Sequence, residues 1–369
     1  MKIKILSLKI IIALLIMSSS VATLKAEGEN VYHASKFGIR SDGVTMNTRS
    51  IQKAIDWISE NGGGTLKFWV GRYLTGSIHL KDNVTIDLQE GAVILGSTNP
   101  YDYDKVAGCY ALVIGEKVNN IKIVGKGNII GNGRELANNF TAQVHAGVIK
   151  DPLKYDRVGT RPRLIYLREC QDVVIDGITL KESAEWVQTY DQCVDVVVNN
   201  IFVESTAFWN NDGIDIVDCN GFLLTNSYFN SSDDAICLKS HSKDAICQNV
   251  EVRNCTARSS ASGIKFGTFG FGGFKNIKII NNRVYGFCSL GILGGDEFKL
   301  GVEPFGLELA VFFNYVAEGG LGHLVFSQIR NDPCDIVHEN IVGRKDEHVF
   351  ALQLCPVTVE KVGNAVEGY

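Results

Sequence analysis

Between residues 80 and 290 the chain alternates apolar and polar positions in short runs, and the runs recur. Each begins at a polar or glycine anchor: Asn83-VTIDL, Asn120-IKIVG, Asp172-VVIDG, Asp195-VVVNN, Gly221-FLLTN, Asn249-VEVRN and Asn276-IKIIN. A period of two inside each run predicts half-buried strands. From Asp172 onward the anchors lie 23, 26, 28 and 27 residues apart, and the wider earlier gaps hold insertions, notably 134–160. Repeats of this length, each carrying strands, predict stacked β coils with about 4.8 Å between layers.

Two finer registers sharpen this reading. Cysteine falls two places before the anchor at Cys170, Cys193, Cys219 and Cys247, and asparagine falls five places after it at Asn200, Asn226, Asn254 and Asn281. Asparagine tolerates the left-handed backbone of a sharp turn, and stacked copies can hydrogen-bond along a ladder. The expected fold is all-β, a right-handed parallel β-helix. None of the ten cysteines forms a CxxC pair, which argues against zinc. An oxidising compartment would permit disulfides between neighbouring coils, but buried free thiols in the core are the expected state.

Ahead of the coils, Asn47 to Glu60 carries Ile51, Ala54, Ile55 and Ile58 on one helical face and stops at Gly62-Gly63-Gly64. This predicts an N-terminal helix capping the open end of the β-helix, where unpaired strand edges invite aggregation. At the other end, "GHLVFSQIRN" (322–331) is expected to form a further coil, since His323 lies 47 residues, about two periods, beyond Asn276. The catalytic β-helix domain is therefore placed at 27–331. Residues 332–369 fit no register and are expected to form an irregular tail or altered last coils.

Composition changes the picture little except at the N-terminus. The chain is 369 residues, 45% hydrophobic and 21% charged, enough for a large core, and its 38 glycines against 6 prolines suit many tight turns. "MKIKILSLKIIIALLIMSSSVATLKA" has a basic start, an apolar centre at Ile10–Met17 and small residues after it. It reads as a signal peptide over 1–26, since a membrane anchor needs about 20 apolar residues. A periplasmic or secreted monomer with no membrane anchor is expected. Loss of Lys2, Lys4, Lys9 and Lys25 would take the formal charge from −5 to −9. So acidic a protein is a poor general nucleic-acid binder, and an acidic substrate would require a local basic patch.

The candidate chemistry lies in "WNNDGIDIVDCNGFLLTNSYFNSSDDAICLKS", Trp209 to Ser240. Asp212 precedes Asp233 and Asp234 by 21 and 22 residues, close to one coil, so these acids should stack along one face. Aligning Ile214 and Ile216 with Ile236 and Leu238, then with Ile264 and Phe266, makes those positions the inward row. Asp215, Cys237 and Lys265 then point outward. Strict alternation sends Asp233 and Asp234 to opposite faces, so both reach solvent only if the turn before them distorts the strand. Lone aspartates commonly serve turns, as expected of Asp172 and Asp195, but three stacked acids ask for another role. Calcium needs six to eight oxygen ligands, and no DxDxDG loop is present. Glycoside hydrolysis needs a protonated carboxyl and a carboxylate, and crowding raises the pKa of one acid.

"NNDGID" followed one coil later by "SSDDAICLKS" resembles the NTD and GDD blocks of glycoside hydrolase family 28, the pectin-cleaving polygalacturonases and rhamnogalacturonases. Supporting blocks are "FGIRSDGVTMNTRSIQKAID" with "GGGTL", "GRYLTGSIHLKDNVTIDLQEGAVILGS", "GKGNIIGNG" and "RPRLIYLRECQDVVIDGITLKESAEW", so the resemblance spans residues 32–290. It implies a right-handed parallel β-helix and inverting hydrolysis of a pectin-type, acidic plant polysaccharide without a metal or other cofactor. By position it makes Asp233 the general acid and Asp212 with Asp234 the pair that activates water. Lys239 matches a lysine that commonly follows the paired aspartates. Two features depart from the family. Ser262, in "SSASGIKFGT", stands where polygalacturonases have the histidine of a Gly-His-Gly block. "SLGILGGDE" lacks the cations of their Arg-Ile-Lys block. Asp215, Lys239, Ser262 and Lys265 are the expected substrate-binding set, with Lys265 replacing some of the missing charge. A catalytically impaired β-helix that only binds carbohydrate, and a calcium-dependent pectate lyase, are the alternatives.

Overall fold

The computed structural model describes residues 30–148 and 161–286, with the strands Leu290–Ile292, Leu307–Phe313, His323–Ile329 and Ile336–Val342. The expected signal peptide lies outside the described residues. Each central coil contributes three short parallel strands, one to each face of a parallel β-helix. The anchor face stacks Val84–Leu88, Asn119–Gly125, Gln171–Asp176, Val194–Asn199, Asn220–Thr225 and Cys247–Arg253. A second face carries Thr179–Lys181, Phe202–Ser205, Tyr228–Ser231 and Thr256–Ser259. The third face, which holds the acids, stacks Cys109–Glu116, Pro162–Arg168, Gln188–Asp191, Ile214–Val217, Ile236–Ser240 and Ile264–Gly270.

The corners follow the asparagine reading. Asn200, Asn226, Asn254 and Asn281 have φ of 51, 52, 55 and 52°, and the anchors Asp172, Asp195, Asn249 and Asn276 are left-handed as well. Side-chain amides form the expected ladder, Asn226 donating to Asn199 at 2.9 Å and Asn254 to Asn226 at 3.4 Å. A second ladder, absent from the sequence reading, links Asn276 to Asn249 at 2.8 Å and Asn249 to Asn220 at 2.7 Å. A third left-handed corner falls at Lys117, Glu169, Gln192 and Asp218, where four different side chains left no compositional trace.

The core is a continuous apolar column between the three faces. Cys170, Cys193, Cys219 and Cys247 point into it, and all seven cysteines among the described residues are free thiols. The cap is the helix Thr48–Glu60, with Ile51, Ala54, Ile55 and Ile58 fully buried. Each buried isoleucine contributes about 1.5–3 kcal/mol relative to an exposed one. Overlapping the 134–160 insertion is a helix the sequence reading missed, Gly133–His145, which buries Leu136 and Ala137. The strand His323–Ile329 occupies the stretch expected to form a further coil. It pairs antiparallel with Leu307–Phe313 and with Ile336–Val342, not parallel as a coil requires. Among the described residues no helix is long and apolar enough to cross a membrane.

Candidate active site

The register on the third face is the one read from the sequence. Ile214 pairs with Ile236 and then Ile264, Asp215 with Cys237 and then Lys265, and Ile216 with Leu238 and then Phe266. Strict alternation would turn Asp212 and Asp234 into the core, and the strands avoid this with a bulge that repeats on successive coils. The amides of Gly213 and Ile214 donate to the consecutive carbonyls of Asp234 and Ala235 at 2.7 and 3.1 Å. Those of Ala235 and Ile236 donate in the same way to Ser262 and Gly263, at 2.8 and 3.1 Å. Two consecutive residues thus face inward, and Ala235 and Ile236 both join the core. Residues three apart, Asp212 with Asp215 and Asp234 with Cys237, then share the outer face. Small residues permit the bulge: a Cβ on Gly213 would lie 2.5 Å from the Ala235 carbonyl.

This places Asp212, Asp234 and Ser262 side by side on three coils. Asp212 and Asp234 are each 3% exposed, so the distorted strand brings Asp234 to the outer face but leaves it buried. Carboxylate oxygens of the two lie within 4.8 Å of each other. Each has its own ammonium partner. Lys239 Nζ lies 3.1 Å from Asp212 and also donates to Asp215, while Lys265 Nζ lies 3.0 Å from Asp234. The Ser262 amide donates to the other Asp234 oxygen at 3.2 Å. Asp233, half-buried at the turn, has no ion pair among the described residues; its carboxyl accepts the Asp234 amide at 2.9 Å and its carbonyl the Ser259 hydroxyl at 2.6 Å.

Electrostatics separates the acids accordingly. Burial, then repulsion from Asp212 and Asp234, pushes the Asp233 carboxyl up to about 6. Burial also raises Asp212, with Lys239 opposing it. Asp215 is pushed well above the carboxylate range by complete burial, and its second oxygen has no hydrogen-bond partner among the described residues. Burial alone would pull the Lys239 ammonium down, but Asp215 foremost holds it charged.

Two members of the expected substrate-binding set lie inside the protein. Asp215 is 0% exposed and Lys239 is enclosed by Asp212, Asp215 and the Trp186 ring, whose centroid is 3.6 Å from its Nζ. Their contacts are those of an internal ion pair. Ser262 is buried and meets Asp234 through its backbone, whereas Lys265 remains partly exposed.

Sequence reasoning missed the floor of the site. Arg163 lies 4.2 Å from the Trp186 ring centroid, and Arg161 lies 4.3 Å from that of Trp209. Arg161 also pairs with buried Glu185 at 2.7 Å. Burial pushes Glu185 up to about 7 against the pull of Arg161 and Arg163. The available signal was charge at the entrances to apolar strands, in "RPR" and "SAEW".

Comparison with known proteins completes the picture. An exo-poly-alpha-D-galacturonosidase of Dickeya chrysanthemi is 26% identical over 263 residues, covering 59% of this chain and 43% of that protein. The chain spans less than half the length of the curated relatives it matches. Among solved structures, a candidate glycosyl hydrolase from Parabacteroides merdae is 37% identical with a TM-score of 0.53, over 64% of this chain and 96% of that one. The family 28 exopolygalacturonase of Yersinia enterocolitica shares the right-handed β-helix at 23% identity and a TM-score of 0.64, over 72% of this chain and 56% of that one. The family model for glycosyl hydrolases family 28 matches residues 66–287, the stretch that builds the coils and gathers the acids, and the chain belongs to that family.

Proposed function

We propose that the protein hydrolyses a glycosidic bond in a pectin-type, acidic plant polysaccharide, with inversion at the anomeric carbon. The observation that carries this reading is the division among three neighbouring carboxyls. Asp212 and Asp234 each form an ion pair with an ammonium, whereas Asp233 forms none among the described residues and is pushed up to about 6. A carboxyl that retains its proton near neutrality can donate it to the departing glycosidic oxygen, while the two held anions orient and deprotonate water on the opposite side of the sugar. The proton that water loses goes to the Asp212–Asp234 pair; the bond to the leaving oxygen breaks as Asp233 protonates it. No step requires a metal, and Lys239 and Lys265 already occupy the cation positions beside the buried acids. The N-terminal pattern supports export to the periplasm or the medium.

The test is incubation of the purified protein, with and without chelator, on polygalacturonan, rhamnogalacturonan and whole pectin. New reducing ends should form in both conditions and fall by about three orders of magnitude in Asp233→Asn. The first product should carry the inverted anomer by proton NMR. Unsaturated, ultraviolet-absorbing products would establish a lyase instead, and retention on the polymers without products would establish a binding protein.

A further inference from the structure

The family histidine is absent, yet Asp234 is not left without a cation. Ser262 occupies the position in register with Asp234 on the next coil, donates its amide to Asp234 at 3.2 Å, and brings no cation. Three residues on, across the same bulge, Lys265 returns to the outer face and its Nζ reaches the second Asp234 oxygen at 3.0 Å. We propose that Lys265 is a positioning residue of this site: its ammonium holds Asp234 as an anion and so confines the cluster's proton to Asp233.

The argument is one of charge and placement, and it rests on the hydrolase reading above. Four carboxyls (Asp212, Asp215, Asp233 and Asp234) crowd two adjacent coils, with the Cys237 thiol among them. Two ammoniums, Lys239 and Lys265, face them. Lys239 is committed on the far side, to Asp212 and Asp215, and is enclosed by Trp186. It leaves Asp234 without a second cation. Were Lys265 neutral, Asp233 and Asp234 would be adjacent carboxyls each holding a single backbone amide and no ion pair, and would share a proton as coupled pairs do. A proton shared in that way would deny the site both a fixed anion to orient water and a fixed acid for the leaving group. The Lys265 ammonium, paired with Asp234 at 3.0 Å, breaks that symmetry. Lys265 itself stays charged, since Asp234 outweighs the cost of its partial burial.

Lys265→Gln, which keeps a donor but not the charge, should lower kcat about 100-fold on the polymer that the wild type cleaves, with KM within about threefold. The acidic limb of its pH profile should move to higher pH. Lys265→Arg should recover most of the rate. Ser262→His/Lys265→Gln, which returns a cation from the register position, should recover part of it. The independent readout is titration of carboxyl-13C-aspartate protein. In the wild type the carbon resonance moving near pH 6 should be that of Asp233 alone, and in Lys265→Gln it should be shared between Asp233 and Asp234. An unchanged kcat and pH profile, or a proton that stays on Asp233 in the variant, overturns the proposal. A wild type that cleaves none of the polymers overturns the hydrolase reading instead, and the titration still decides the role of Lys265. Matching thermal melts exclude a folding defect, and if Lys265→Gln fails that check, Lys265→Arg against Lys265→Met supplies the same contrast.

Discussion

The anchor face and the acid-bearing face are built by the same coils at the same period, yet they differ in almost every local rule. The anchor face alternates strictly, ends three successive strands at the left-handed asparagines Asn200, Asn226 and Asn254, and places polar side chains on ladders running along the axis. On the acid-bearing face alternation fails, two residues in succession turn inward, and carboxylates pair with ammoniums across coils. The regular face needs nothing beyond its own repeat. The irregular one buries charge, an arrangement that natural proteins tolerate where chemistry requires it.

The largest effect expected from disturbing this contrast is at Lys239. Lys239→Met leaves Asp212 and Asp215 buried without a counter-ion, and breaking a buried pair in this way costs about 3–5 kcal/mol. Equilibrium denaturation should show that loss, whereas Asp215→Asn/Lys239→Met should recover much of it. A smaller effect concerns pH. Asp233 titrates near 6, above the 3.8 of an ordinary aspartate. A carboxyl raised on folding stabilises the protein fully below its unfolded value and loses that contribution as pH rises through the folded value. Stability of the wild type should therefore fall between about pH 4 and pH 6 relative to Asp233→Asn, and the melting temperatures of the two across that window test it. The smallest effect belongs to the regular face. Asn226 has a φ of 52° and bonds to both neighbours in its ladder. Asn226→Ala should cost about 1–2 kcal/mol in denaturant unfolding, and Asn226→Gly, which keeps the backbone but not the ladder, less.

The same contrast explains what the sequence could disclose. The coils were legible because each repeats one physical demand: a left-handed corner selects asparagine, and a half-buried strand selects alternation. The capping helix was legible from the spacing of Ile51, Ala54, Ile55 and Ile58. The pairing of Ile214, Ile236 and Ile264 was legible too, and with it the stacking of Asp212 beside Asp234. A distortion before Asp233 and Asp234 was legible as a need, but not its form, because a bulge has no period. Its trace was present as a small residue before isoleucine on three coils, Gly213, Ala235 and Gly263. Arg161, Arg163, Glu185 and Trp186 escaped because their partners are non-local, 23 to 48 residues away for Arg161. Lys239 and Asp215 were found as residues but placed at the surface, since nothing in a linear pattern separates a buried ion pair from two solvated charges.

The cysteine stack has a use beyond packing. Cys170, Cys193, Cys219 and Cys247 put one reduced thiol inside each of four successive coils, at exposures of 1% or less. A thiol so enclosed meets an alkylating reagent only when its own layer opens. In a solenoid whose layers contact only their neighbours, those openings need not be simultaneous. The chain therefore carries a built-in chronometer: the order in which the four sulfurs become labelled reads out, layer by layer, where the column comes apart first.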